Sequence, residues 1–388
     1  MKIVHLIDYF QPKIGYQETF LAREHKEMGH EVIVLTSDYY YPFHNYKKIF
    51  GKLLGDRKRR SGRMLEGGID TWRLPSYEIP HTPLVYMNGL ERTLNMIKPD
   101  LVLCHGVYSI TSYRIASLKE KNRFKLIYDT HAAHFNTNLT NTLPKKIFQF
   151  CYQKIAVPKI IKENDAIFAI GEDEKALLVE DFHIHPESVP IIRLGVDIKR
   201  FQFKDKDRIT IRKKLGISLS DIVVLYAGKL TKNKDIDVLI DAFNRISNER
   251  ITLLIVGDGD LGYQKMLEKM LNKPDHVRWI KMVENDTLPQ YYNAADVGVW
   301  PGNSSITIME AMACHLPVIL PKWYGTQYLD KSGGVARFIR GNSQELSKIL
   351  MKIINNSDLR KNMGRRNEMY ARKALDWFII SNQILSLV

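Results

Sequence analysis

The chain has 388 residues, more than one ordinary α/β core holds at about 100–200 residues per domain, so an internal boundary is expected. With 45% hydrophobic, 10% aromatic and 26% charged residues, it has the composition of a globular protein with sizeable cores, which excludes disorder and collagen-like order. The 57 Lys and Arg exceed the 43 Asp and Glu by a net +14, pointing to an anionic partner: nucleic acid, acidic lipid headgroups or phosphorylated metabolites.

The apolar run Ile3 to Ile7 predicts a strand. A loop with Pro12 and Gly15 follows, then a helix from Gln17 to Met28 stopped at Gly29, and a second strand over VIVLT. MKIVHLIDYF enters that first strand without the apolar core and small-residue cleavage site of a signal peptide, so no export is indicated. No run approaches the roughly 18 apolar residues of a spanning helix, which leaves any membrane contact peripheral.

Residues 39–63 differ in kind. Eight Lys or Arg stand there against one Asp, a net +7, with Tyr39, Tyr40, Tyr41, Phe43, Tyr46 and Phe50 interleaved. Most charge runs are solvated loops. A docking surface for anionic lipid or a pyrophosphate-linked acceptor is the functional alternative, with each basic residue contributing about 1 kcal/mol near acidic headgroups.

Three further short apolar runs, LVLCHG at 101–106, KLIYDTH at 125–131 and DAIFAIG at 165–171, are separated by helix-length segments. That alternation predicts a parallel sheet covered on both faces. Asp129 and His131 fall near a strand's carboxyl end, where open α/β sheets bind ligands. A lone His is more often structural, but one at such a strand end is a candidate for touching a reacting group.

At residue 222 the opening grammar returns. IVVLYAG precedes a lysine-rich loop, then a helix with Val238, Leu239, Ala242, Phe243 and Ile246 on one face, then ITLLIVG. VRWIKMV, DVGVWPG and PVILP complete a second sheet, which puts the boundary near residues 191–201. The closing ALDWFIISNQILSLV predicts a packed helix, since it has few basic residues to face phosphates. Cys104, Cys151 and Cys314 are odd in number, far apart and set in apolar or amphipathic stretches, which suggests buried thiols in a reducing compartment.

The second half holds the motifs closest to chemistry. Gly228 ends a strand, Lys229 follows it, and Lys234 precedes a helix, so two ammonium groups and helix amides converge as a diphosphate site. In PGNSSITIMEAMACHLPVI, Gly302, Asn303, Ser304 and Ser305 form a small-residue loop that opens a helix at Ile306. Glu310 on that helix either faces solvent or accepts from vicinal sugar hydroxyls. VGDGDLG contains a literal G-x-G-x-x-G, with Glu284 some way on. It lies late in its sheet, and a tight turn explains Gly257 and Gly259 better than a dinucleotide fingerprint.

The order of LAREHKEMGHEVIVLTSD, IIRLGVD, AGKLTKNKDIDVLIDAF, IVGDGD, NAADVGVWP and IMEAMACHLPVI resembles the retaining glycosyltransferases of family 4, over essentially the whole chain. The resemblance implies the α/β GT-B fold, two facing Rossmann-like doubly wound domains with a cleft between them. Residues 1–195 would bind the acceptor, with a C-terminal helix over 375–388 packing back on them, and residues 196–374 would bind the nucleotide sugar. It further implies transfer of a hexose or N-acetylhexosamine from a nucleotide diphosphate donor, UDP before GDP, to a glycan or lipid-linked acceptor in glycan biosynthesis.

By the same resemblance Lys229 and Lys234 hold the diphosphate and His131 lies beside the donor sugar. Glu310 takes the ribose hydroxyls, while Gly15, Gly228, Gly257 and the Ser304, Ser305 and Ile306 backbone approach the donor. The leaving phosphate itself takes the acceptor proton, and electrostatic stabilisation of the departing diphosphate supplies much of the acceleration. No cofactor and no metal are expected. Tyr39, Tyr40, Lys47, Lys48, Arg57, Lys58, Arg59, Arg60 and Arg63 would dock acceptor or membrane on the cytoplasmic face. Two positions depart from the family: Lys229 stands where Arg is usual, and Gly302 where an acid contacts the transferred sugar. They motivate an alternative, a weak or inactive sugar-nucleotide-binding subunit of a glycan-assembly complex. Nucleic acid is a third class, suggested by net charge alone and lacking a reader motif.

Overall fold

The structure is a computed structural model that describes residues 1–80, 82–134 and 143–388. The chain divides into two units, Met1–Leu194 together with Trp377–Val388, and Gly195–Asp376.

Among its described residues the first unit has nine strands: β1 (Lys2–Ile7), β2 (Glu31–Ser37), β3 (Gly62–Glu66), β4 (Ile69–Leu74), β5 (Ser76–Glu78), β6 (Val85–Met87), β7 (Leu101–His105), β8 (Lys125–Thr130) and β9 (Ala166–Ala169). Seven of them form one sheet in the order β3-β4-β2-β1-β7-β8-β9, parallel except for the β3 edge, and β5 and β6 make a separate hairpin. The central strands are continuous apolar runs because both faces are covered by helices. Val4, Leu6, Val102, Cys104, Leu126 and Tyr128 share one core under the helices, and Val32, Val34 and Ile69 face the other side. Strands β3 and β4 were not legible in sequence. Their alternating residues follow directly on the basic stretch and read as its continuation.

At this edge Arg73 is fully buried, donating to the Ser37 and Phe10 carbonyls at 2.9 Å and pairing with Glu66 at 2.6 Å. An unpaired charge there would cost several kcal/mol, so the carbonyls and carboxylate hold the strand ends together. The C-terminal helix Trp377–Leu385 belongs to this unit, and Trp377 stacks on Phe20 of the helix Gln17–Glu27 with ring centroids 5.6 Å apart.

The second unit has β10 (Ile222–Ala227), β11 (Ile251–Val256), β12 (Val277–Ile280), β13 (Val297–Val299), β14 (Val318–Pro321) and β15 (Val335–Phe338), in one parallel sheet ordered β12-β11-β10-β13-β14-β15. The order reverses at β10, between β11 and β13, which makes the carboxyl ends of β10 and β13 the switch point where such sheets take ligands. A buried Arg212 anchors the sheet's other end. It pairs with Asp296 at 2.6 Å and donates to the Ala294, Ser218 and Asp221 carbonyls. Leu239, Ala242, Phe243 and Ile246 are buried, while Val238 is only partly so.

Candidate functional site

At the switch point of the second unit three strand-end loops meet. Gly228 leaves β10 at φ +150° and Gly257 leaves β11 at φ +152°, conformations that side chains rarely adopt. A β-carbon on Gly257 would lie 1.9 Å from the Gly228 carbonyl oxygen, and one on Gly259 would lie 2.2 Å from that of Leu230. The loops are also bonded, Leu230 N–H to the Asp258 carbonyl at 3.0 Å and Asp260 N–H to the Leu230 carbonyl at 2.9 Å. The glycines of VGDGDLG thus serve close backbone contact.

Lys234 ties the β10 loop to the loop after β13. Its ammonium donates to the Asn303 carbonyl at 3.0 Å and the Ser304 carbonyl at 2.7 Å, and Asn303 N–H donates back to the Asn233 carbonyl at 3.0 Å. Burial, then the charges of Lys229 and Arg340, push the Lys234 ammonium down to about 8, with Asp235 opposing. An ammonium under that pressure gains from an incoming anion. Lys229 is exposed, on a loop fixed by a 2.8 Å bond from the buried Tyr226 hydroxyl to its carbonyl. Arg340, which follows β15, pairs with Asp235 at 2.6 Å. Nothing in the sequence pointed to it, because β15 was not legible.

The loop after β13 opens the helix Ile306–Ala313, with Ser305 at its N-cap in extended conformation. Ser305 makes no side-chain cap; the Thr307 hydroxyl donates to the Ala227 carbonyl at 2.8 Å and accepts from the Trp300 indole at 2.9 Å. The first amides of a helix have no partner within it, so without a side-chain cap these are donors for an anion. Ser304, Ser305 and Ile306 are partly exposed there.

Glu310, one turn on, is buried at 1% exposure. Its carboxylate accepts from the Tyr292 hydroxyl at 2.7 Å and from the Asn285 amide at 3.3 Å, and burial pushes it up to about 7. These two donors leave lone pairs over for further hydrogen bonds. Position 302 is closed to any side chain. A β-carbon on Gly302 would lie 2.5 Å from the Asn233 carbonyl oxygen and 2.6 Å from the Lys234 Cα. The acid absent from this position would therefore collide with the backbone that carries Lys234.

In the first unit, His131 lies just past β8, with Nε2 3.9 Å from Asp129 Oδ1. Asp129 anchors a buried chain of rings that sequence reading missed. His105 Nδ1 is 2.6 Å from Asp129 Oδ2, His105 Nε2 is 2.9 Å from His5 Nδ1, and His5 Nε2 is 3.0 Å from His25 Nδ1. Asp129 also accepts from Gln17 at 3.2 Å and from Gly106 N–H at 3.1 Å. Burial works against a charged His105, but the Asp129 carboxylate outweighs it and raises this ring's pKa, whereas burial and the neighbouring rings lower that of His5. Glu18, buried beside them, is pushed up to about 7 by desolvation. Only His105, at the end of a predicted strand, stood where a sequence signal could have found it. Gly15 turns the β1 loop at φ +76° in this unit.

The basic segment is less open than its composition suggests. Tyr40, Tyr46 and Phe50 are buried rather than poised for an interface, which corrects the expectation for those aromatics. Arg57 pairs with Glu78, Lys58 with Asp38 at 2.8 Å and Arg63 with Asp70 at 2.8 Å. Lys58 also stands 4.0 Å over the Tyr39 ring and Arg59 5.0 Å over that of Tyr40. Lys47, Lys48 and Arg60 are exposed. Cys104 and Cys314 are buried, but Cys151 is exposed, contrary to expectation. Among the described residues no helix is long and apolar enough to cross a membrane.

Comparison with known proteins adds to this geometry. Residues 207–369 match the family described as glycosyl transferases group 1, and residues 19–200 match the family described as glycosyltransferase family 4. An uncharacterized glycosyltransferase of Methanocaldococcus jannaschii, MJ1069, is 24% identical over 97% of this chain and 95% of its own. The mannosylfructose-phosphate synthase of Agrobacterium fabrum is 28% identical over 59% of this chain and 54% of its own. Among solved structures, Anabaena Alr3699/HepE in complex with UDP superposes with TM-score 0.74 at 19% identity, covering 100% of this chain and 99% of that one. A sucrose-phosphate synthase from Thermosynechococcus elongatus also gives 0.74, at 17% identity and 100% and 98% coverage.

Proposed function

Because the chain belongs to the group 1 glycosyltransferases of family 4 and has the GT-B fold, we propose that it moves a hexose or N-acetylhexosamine, with retention, from a nucleoside diphosphate donor to a glycan or lipid-linked acceptor. UDP is the donor nucleotide proposed before GDP, in line with the UDP complex of the Anabaena protein. The second unit binds the donor and the first the acceptor, on the cytoplasmic side of the membrane.

The observation that carries this reading is the Lys234 ammonium clamping the Asn303 and Ser304 carbonyls beside an uncapped helix start. The bonded carbonyls turn the loop so that the amides opening the helix meet a diphosphate together with Lys229 and Lys234. Such preorganised donors stabilise the charge that develops on the leaving group, the largest single contribution in many enzymes. Tyr292 and Asn285 fix Glu310 for the ribose hydroxyls. His131 is assigned to the transferred sugar. The departing phosphate takes the acceptor proton, so neither a carboxylate nucleophile nor a metal is proposed.

Activity tests this reading directly. Transfer from, or hydrolysis of, a panel of UDP- and GDP-sugars is expected for the wild type and lost on Lys234→Ala and Glu310→Ala. The closed position at Gly302 favours one second reading, a subunit that binds nucleotide sugar without turning it over. Donor binding with no turnover across the panel would select it.

A further inference from the structure

The helical segment from Leu143 to Glu163 runs as helix, one π turn over Tyr152–Ala156, and helix again. Its inner face is ordinary core: Tyr152, Ala156, Val157 and Ile160 are buried, with Phe148 packed against them. The outer face is also apolar. Ile147 is 55% exposed, Phe150 62%, Ile155 60% and Ile161 40%, at spacings of three to six residues along one side. Exposed Lys146, Lys154 and Lys162 flank them, and Lys154 lies 6.0 Å over the Phe150 ring. No Asp or Glu occurs between residues 143 and 162.

A surface helix ordinarily presents polar residues on the side away from its core, and one that is apolar on both sides calls for a second covering. We propose that this outer face docks on the surface of an anionic lipid bilayer. Ile147, Phe150, Ile155 and Ile161 would enter the headgroup boundary, and the flanking lysines, whose stems reach outward, would meet the phosphates. Lys162 is met by Glu163 at 3.6 Å; charge still favours this occupant over a second copy of the chain, because a two-fold contact through this face would set Lys146 and Lys154 of one copy against those of the other. The same comparison selects it over residues 39–63, where Tyr40, Tyr46 and Phe50 are buried and Arg57, Lys58 and Arg63 are held by acids. The proposal is independent of donor identity and of turnover.

Flotation of the full chain with vesicles tests it, using phosphatidylcholine alone and equal parts phosphatidylcholine and phosphatidylglycerol at low salt. Binding is expected on the mixed vesicles only, falling at least about tenfold for Phe150→Ser with Ile155→Ser, and likewise for Lys146→Gln, Lys154→Gln and Lys162→Gln together. These side chains are exposed, so thermal midpoints should stay at the wild-type value. Lys58→Gln with Arg59→Gln and Arg60→Gln should bind as the wild type does. No binding of the wild type, binding unchanged in both helix variants, or a concentration-dependent dimer in size-exclusion that Phe150→Ser with Ile155→Ser abolishes would each overturn the proposal.

Discussion

Gly302 rests on the backbone of Lys234 so closely that a β-carbon on it would lie 2.5 Å from the Lys234 carbonyl carbon. The contact is backbone on backbone, which no rotamer change relieves. Gly302→Ala is therefore expected to destabilise the chain by about 2 kcal/mol or more, read as a lower urea midpoint at unchanged slope. Restoring an acid with Gly302→Glu should not restore a family-like site but should displace the Lys234 loop and weaken UDP binding. Wild-type stability in Gly302→Ala would mean that the two loops part easily.

Lys234 carries a pH prediction. Its ammonium is depressed to about 8 against an ordinary 10.5, and a bound diphosphate favours the charged form. UDP binding above pH 8 should thus take up a proton, and affinity should fall as pH rises through 8. Calorimetric titrations in two buffers of different ionisation enthalpy check this, since proton uptake makes the observed heats differ. For folding the sign is opposite. Between 8 and 10.5 the unfolded chain binds more protons, so this group's contribution to stability rises with pH over that window.

Glu310 behaves in reverse. Burial raises it from 4.5 to about 7, so its protonated form is favoured by folding. The stability it contributes is complete below 4.5 and lost as pH rises through 7. Thermal midpoints of the wild type should therefore fall across that window more steeply than those of Glu310→Gln, which has nothing to titrate. Parallel curves for the two proteins would show that Tyr292 and Asn285 already compensate the buried charge.

The ring chain of the first unit makes a prediction for spectroscopy. With Asp129 ionised, His105 is expected to be the imidazolium and His5 a neutral ring, since burial and the rings on either side lower His5 while Asp129 raises His105. Nitrogen-15 spectra of histidine-labelled protein across a pH titration should show a ring that keeps both nitrogens protonated to higher pH than free histidine, and this signal should disappear in His105→Asn. That variant should also lose about 1–3 kcal/mol, because Asp129 and His5 are left with unmet hydrogen bonds in the core. A spectrum in which all the buried rings are neutral would contradict the charge assigned to His105.

The parallel strands were legible because a strand buried on both faces is written as an unbroken apolar run, as in IVVLYA and ITLLIV. Lys234 was legible because a strand, a glycine and a lysine stand in one line of sequence. The partners that give these residues their surroundings were not. Arg340 reaches Asp235 across 105 positions and Tyr292 reaches Glu310 across 18, by way of the fold alone. His5 sits in the middle of an apolar strand and gives no sign of the rings on either side of it. The basic stretch misled for a related reason. Net charge was countable, but the acids that answer it, Asp38, Asp70 and Glu78, lie outside the segment and reach it only after folding.

The most direct test of the donor site is a calorimetric titration of UDP into the wild type and into Lys234→Ala at pH 7, with thermal melts to verify folding. The wild type should bind UDP, and Lys234→Ala should bind it about 100-fold more weakly, near 3 kcal/mol, since both the charge and the anchor of the Asn303 and Ser304 carbonyls are removed. Equal affinity in the two proteins, or no binding of UDP or GDP by the folded wild type at millimolar concentration, would contradict a diphosphate site at these loops.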